Sequence, residues 1–149
     1  MSNLSSPLST VRLKKNEERR IRQGHLWIFS NEIDTSITPL KPLEPGEPVV
    51  VESAKGEFIG YGYANPASLI SVRLLTRNAK AAPGKKLVQK RIEMALSLRE
   101  QLFHDACYRM VFGESDFLPG LIIDRFGDHY SVQVTTAGME RFCDDIVTI

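Results

Sequence analysis

The chain has 149 residues, 42% hydrophobic and 25% charged, with a net charge of +1. That length suits one ordinary domain or two very small ones. No apolar run approaches the roughly eighteen residues of a membrane-crossing helix, so no membrane partner is expected. The charge is patterned: residues 12 to 22 carry six bases and two acids, residues 23 to 72 two bases and six acids, residues 73 to 91 seven bases and no acid, and residues 113 to 149 two bases and seven acids. Two basic segments in an otherwise acidic chain, if they meet, make a positive face suited to phosphate backbones; the plainer alternative is solvated Lys and Arg on surface helices.

The opening MSNLSSPLST is Ser-rich without an apolar core, which is no secretory signal and reads as a disordered lead-in over residues 1–10. VRLKKN alternates apolar and basic residues as a strand start does. EERRIRQG predicts a short helix with Asn16 as N-cap, Glu17 and Glu18 in the first turn and Gly24 as its stop. HLWIFSNEI returns to extended chain and holds the only tryptophan, Trp27. KPLEPGEPVVVES is a Pro-Gly turn entering a strand; GEFIGYGYANPAS is a strand whose Gly60 and Gly62 predict a bulge or close backbone packing; LISVRLLTR is another strand. Short strands with one brief helix over about seventy residues imply a small closed barrel.

NAKAAPG reads as a linker. Lys85 to about His104 favours a helix, with Leu87, Ile92, Leu96, Leu98 and Leu102 available for burial. YRMVFGES and PGLIIDRFGDHYSVQVTT predict three strands, two of them a hairpin turning at FGDH. After Gly138 the apolar residues fall at 139, 142, 143, 146 and 147, one face of a helix still running at Ile149, as if cut.

Candidate chemistry is sparse. No Gly-rich phosphate loop, no G-x-S-x-G and no metal-ligand spacing of His104 and His129 occurs. Cys107 and Cys143 cannot make a zinc site alone; without a signal peptide they favour free thiols in a reducing cytoplasm, and their apolar neighbours predict buried structural thiols. Glu114, Asp116 and Asp124 could form an acid–base or metal cluster, but Asp116 precedes a Pro-Gly turn, where a short acid bonds its own backbone, and Asp124-Arg125 is expected to order the hairpin. The segment around Lys14, Arg19, Arg20, Arg22, Gln23 and His25 is the better candidate, because arginines beside a glycine turn and aromatic residues fit RNA phosphates and stacked bases. Trp27 and Phe29 belong either to that surface or, as the favoured reading, to the barrel core.

GHLWIFSNEI and PGEPVVVESAKGEFIGYGYANPASLISVRLLT resemble the PUA domain that opens the bacterial 23S ribosomal-RNA cytosine-C5 methyltransferases, and GESDFLPGLIIDRFGD resembles a stretch specific to that family. The likeness runs from about Val11 to Ile149, departing at Leu26, Asn31 and Phe117. It implies an α+β chain: a PUA-like RNA-binding barrel over residues 11–78, then a small mixed α/β linking domain over 79–149. It also implies a third, Rossmann-like domain that binds S-adenosylmethionine and carries the nucleophilic cysteine and an Asp-Pro-Pro motif. None of those motifs is in this sequence, so neither cofactor binding nor activity is expected of these residues alone. The resemblance further implies large-subunit ribosomal RNA as partner, a homodimer and a cytoplasmic protein. Two other readings stay open: a stand-alone PUA-type RNA-binding adapter, and a protein-interaction module whose barrel binds no RNA.

Overall fold

A computed structural model describes residues 7–149, which divide into two compact units at a boundary after Ala82. The expected lead-in lies outside the described residues at positions 1–6, and it ends earlier than position 10. Ser9 and Thr10 already belong to strand β1 (Ser9–Arg12), which pairs in parallel with β3 (Pro48–Glu52), Ser9 opposite Val49. An alternating apolar pattern invites this pairing, and Val11, Val49 and Val51 all point inward, fully buried.

In the first unit, β3 pairs with β4 (Phe58–Ala64), β4 with β5 (Ile70–Thr76), and β5 with β2 (Trp27–Phe29), giving the order β1-β3-β4-β5-β2. A single antiparallel bridge, Leu13 to Ile33, joins the two edges and closes the barrel. The glycines of β4 allow the close approach expected of them. A Cβ on Gly60 would stand 2.6 Å from the Thr76 carbonyl oxygen, and one on Gly62 would collide with the Arg73 carbonyl. The ladder slips in register between Tyr61 and Gly62. The core is built from Val11, Leu13, Ile21, Ile28, Ile33 and the inward residues of β3 to β5. The linker begins as part of this unit: the Tyr61 hydroxyl donates to the Ala79 carbonyl at 3.3 Å, and the boundary falls after Ala82.

In the second unit, helix α2 (Lys85–Leu102) packs against a three-stranded antiparallel sheet, β6 (Cys107–Phe112), β7 (Leu121–Phe126) and β8 (His129–Val134), in that order. The buried face of α2 is Val88, Ile92 and Ala95, not the leucines expected there; Leu98 and Leu102 are exposed. β8 is bare, with only Val134 better than exposed. The helix predicted after Gly138 is two one-turn helices, α3 (Ala137–Glu140) and α4 (Cys143–Val147). Thr136 caps the first, its hydroxyl accepting from the Met139 N–H at 3.3 Å. Met139 and Ile146 are buried, while Val147 points into solvent and Thr148 ends the second. The expected single face therefore breaks at Phe142. Among the described residues no helix is long and apolar enough to cross a membrane.

Candidate nucleic-acid interface

Helix α1 (Glu18–Arg22) carries three of the six expected RNA-binding residues, Arg19, Arg20 and Arg22; Lys14 precedes it, and Gln23 and His25 lie between it and β2. Five residues are too few for a helix to persist by itself. One apolar residue roots it: Ile21 is fully buried, and the arginines at 19, 20 and 22 flank that root. Asn16 is not the N-cap. It sits at φ 73, one residue further out, and Glu17 takes the cap position without a side-chain bond. Gly24 ends the helix as predicted, at φ 120, its N–H bonding the Ile21 carbonyl at 3.1 Å.

The six expected residues divide by what they touch. Arg20 is committed internally. Its guanidinium donates to the Glu32 carboxylate at 2.6 Å and the Trp27 carbonyl at 3.2 Å, and lies 5.1 Å from the centre of the Phe29 ring. Glu32 is buried and also accepts from the Phe29 N–H at 2.7 Å, so this pair joins the helix to the chain beyond β2. Lys14 donates to the Asn31 carbonyl at 2.8 Å. Arg22 and Glu57 are 3.0 Å apart but both sit in solvent, a pairing of little strength. Arg19 makes a long bond of 3.4 Å to the Asn16 side chain. Gln23 and His25 are exposed.

Trp27 corrects the favoured expectation. Alternation along β2 puts Ile28 in the core and Trp27 outside, 39% exposed, with its ring edge-on to Phe29 at 6.5 Å. It stands opposite Arg73 of β5. Arg77, just past β5, donates through Nε to the Ile21 carbonyl at 3.0 Å and through its terminal nitrogen to the His25 carbonyl at 2.8 Å. Partial burial pulls the pKa of this guanidinium down from its ordinary value. The first basic segment thus meets Arg77, near the start of the second, whereas Lys85, Lys86, Lys90 and Arg91 belong to the other unit. No spacing in the sequence reveals that meeting, which follows from β2 and β5 being neighbours.

The acid-rich stretch GESDFLPGLIIDRFGD has a structural explanation. Asp116 is held by both terminal nitrogens of Arg99, at 2.5 and 2.7 Å, and accepts from the Phe112 N–H at 2.7 Å. Asp124 does not pair with Arg125. Neighbours on a strand face opposite sides, so Asp124 meets Arg109 across the sheet at 2.8 Å. The Arg109 hydrogen bond, then its charge, hold the Asp124 carboxyl below the usual carboxylate range. Arg125 donates instead to the Tyr108 hydroxyl at 2.8 Å and the Gly127 carbonyl at 3.0 Å. Cys107 is exposed and Cys143 half-buried, both free thiols, so the expected burial fails for Cys107. Among the described residues no group of His, Cys, Asp or Glu could hold a metal.

Residues 11–77 match the family described as a PUA-like domain. Over nearly its whole length the chain is similar to proteins named ribosomal RNA large subunit methyltransferase I. It is 34% identical over 143 residues to that of Tolumonas auensis, covering 94% of this chain and 35% of the relative. With that of Photobacterium profundum the figure is 36% over 142 residues, covering 93% and 35%. The fold is also that of a Streptococcus mutans protein described as a candidate SAM-dependent methyltransferase, with a TM-score of 0.77 at 17% identity over 95% of this chain and 36% of that one. The chain spans about a third of the length of the curated relatives it matches. It contains a PUA-like domain and is related along nearly its whole length to the ribosomal RNA large subunit methyltransferases I.

Proposed function

We propose that this chain is the RNA-docking portion of a larger S-adenosylmethionine-dependent methyltransferase acting on large-subunit ribosomal RNA, with cytosine C5 as the methylated position. The observation that carries the reading is the exposed ledge of Arg19, Arg22, Gln23, His25 and Trp27 on a barrel that matches the PUA-like family. Guanidinium groups neutralise phosphates, and an exposed indole stacks on an unpaired base. Cytoplasmic ribosomal RNA is the partner, and the parent protein is a homodimer, which sedimentation of that protein measures.

Among the described residues, the two clefts beside Tyr108 and Phe112 do not fit the methyl donor. At about 230 and 150 Å³, they are open and smaller than pockets that enclose ligands of that size. No step of the methyl transfer is therefore assigned to the residues of this chain. Their part is to bind and orient RNA.

Binding of a stem-loop RNA measured across a salt series tests the reading. Wild-type affinity should fall steeply with salt. Arg19→Glu with Arg22→Glu should weaken binding and flatten the slope by about 1.5, near two phosphate contacts. Trp27→Ala should cost about 1–3 kcal/mol of stacking. Salt-independent binding, or affinity unchanged by all three substitutions, refutes the docking role and favours a protein-interaction module. Labelled methyl transfer by the parent protein to a position other than cytosine C5 refutes the finer assignment alone.

A further inference from the structure

The ledge is built on a short, glycine-interrupted segment whose shape does not rest on its own backbone alone. α1 has five residues, and its end is closed by backbone bonds from the Gln23, Gly24 and His25 N–H groups to the Arg19, Ile21 and Arg20 carbonyls. Gly24 adds the residue with the greatest conformational freedom. Four carbonyls of this stretch, those of Ile21, His25, Leu26 and Trp27, gain further partners from side chains or from β5. Arg77 takes Ile21 and His25, the Leu74 N–H takes Leu26 at 2.8 Å, and Arg20 takes Trp27. Arg77 reaches back across more than fifty positions of sequence to do so, 56 to Ile21 and 52 to His25. Arg20 is in turn neutralised by buried Glu32.

We infer that Arg77, with Arg20, is a positioning residue for RNA recognition: their forks fix the carbonyls of Ile21, His25 and Trp27 and so set the distance between the α1 arginines and the Trp27 ring. The inference rests on the RNA-docking reading. Its physical content is that a guanidinium presents several donors in one rigid plane, whereas an ammonium is a single point. Lysine at 77 keeps the charge and reaches one carbonyl, not two. Binding sites whose supporting residues are loosened by an ångström lose affinity without losing a contact residue.

Arg77→Lys and Arg77→Gln in the full chain separate this from a direct phosphate contact. A stem-loop RNA is titrated at several salt concentrations, and amide exchange of Gly24 and His25 is followed without RNA; Trp27 fluorescence during thermal unfolding checks that each variant folds. Both variants are expected to bind about tenfold more weakly, the scale of one lost charge-assisted hydrogen bond. The slope against salt should be unchanged, and the Gly24 and His25 amides should exchange faster. If Arg77→Lys binds like wild type while Arg77→Gln binds weakly, or Arg77→Gln flattens the slope by one phosphate contact, Arg77 touches RNA itself and the inference is wrong. If neither variant alters affinity while the Arg19 and Arg22 reversals do, the inference falls and the docking reading stands. If wild type binds no RNA, both fall, and faster exchange in the variants marks the clamp as architecture alone.

Discussion

Removing Asp116 should cost the second unit far more than a surface acid would. The Asp116 side chain is 8% exposed and that of Arg99 13%, and the two share a two-point contact. Asp116→Ala strands a largely buried guanidinium and leaves the Phe112 N–H without its acceptor. Breaking one side of a buried pair costs about 3–5 kcal/mol, and the orphaned amide adds to this. Asp116→Asn keeps an acceptor for Phe112 but loses the charge, so it should cost less, about 1–3 kcal/mol. Trp27 lies in the first unit, so its fluorescence does not register this loss. Amide exchange at β7 core positions such as Ile123 reads the local opening free energy and does. If Asp116→Ala changes that free energy by less than about 1 kcal/mol, the bracket is not what holds the loop, and a role for Asp116 in binding or chemistry reopens.

Three further outcomes follow from the geometry. Gly60→Ala should destabilise the barrel by about 2 kcal/mol or more in urea unfolding, because a Cβ there would meet the Leu74 side chain and also the Thr76 backbone, which cannot swing aside. Phe117 sits at φ 58 with its ring against Arg91, so Phe117→Ala loses the ring and keeps the strain, while Phe117→Gly relieves it; unfolding should rank the glycine variant more stable than the alanine variant by about 1 kcal/mol. The folded pKa of Asp124 lies below its unfolded value of about 3.9. Its contribution is therefore fully present above that value and lost as pH falls through the folded one, and Asp124→Asn should lose less stability than wild type on acidification from pH ~5 to pH ~2.

Features governed by neighbours along the chain were legible in the sequence. The turn at Gly24, the approach glycines at 60 and 62 and the Ile123–Val132 hairpin pairing each follow from local chemistry. What failed depended on three-dimensional partners. Leucine content pointed to 98 and 102 on α2, but the spacing Val88, Ile92, Ala95 and then Arg99 decides its inner face, with Arg99 turned toward Asp116. Trp27 looked like core by size, yet two-residue alternation around buried Ile28 sends it outward. Asp124 sits beside Arg125 in sequence, but its true partner is Arg109, fifteen positions earlier, and only the strand register brings them together. The role of Arg77 was invisible for the same reason.

The way the barrel closes has a consequence for how it forms. In the second unit each strand pairs with the next one along the chain, so the sheet can zip from local turns. In the first unit β1 must wait for β3 and β2 must wait for β5, and loop-closure entropy is spent before either contact forms. During synthesis the α1 arginines and Trp27 are therefore made well before Arg73 and Arg77. Until β5 arrives, that cationic, aromatic segment is an unclamped tether, and the last strand of the barrel to be made is also the one that gives the ledge its shape.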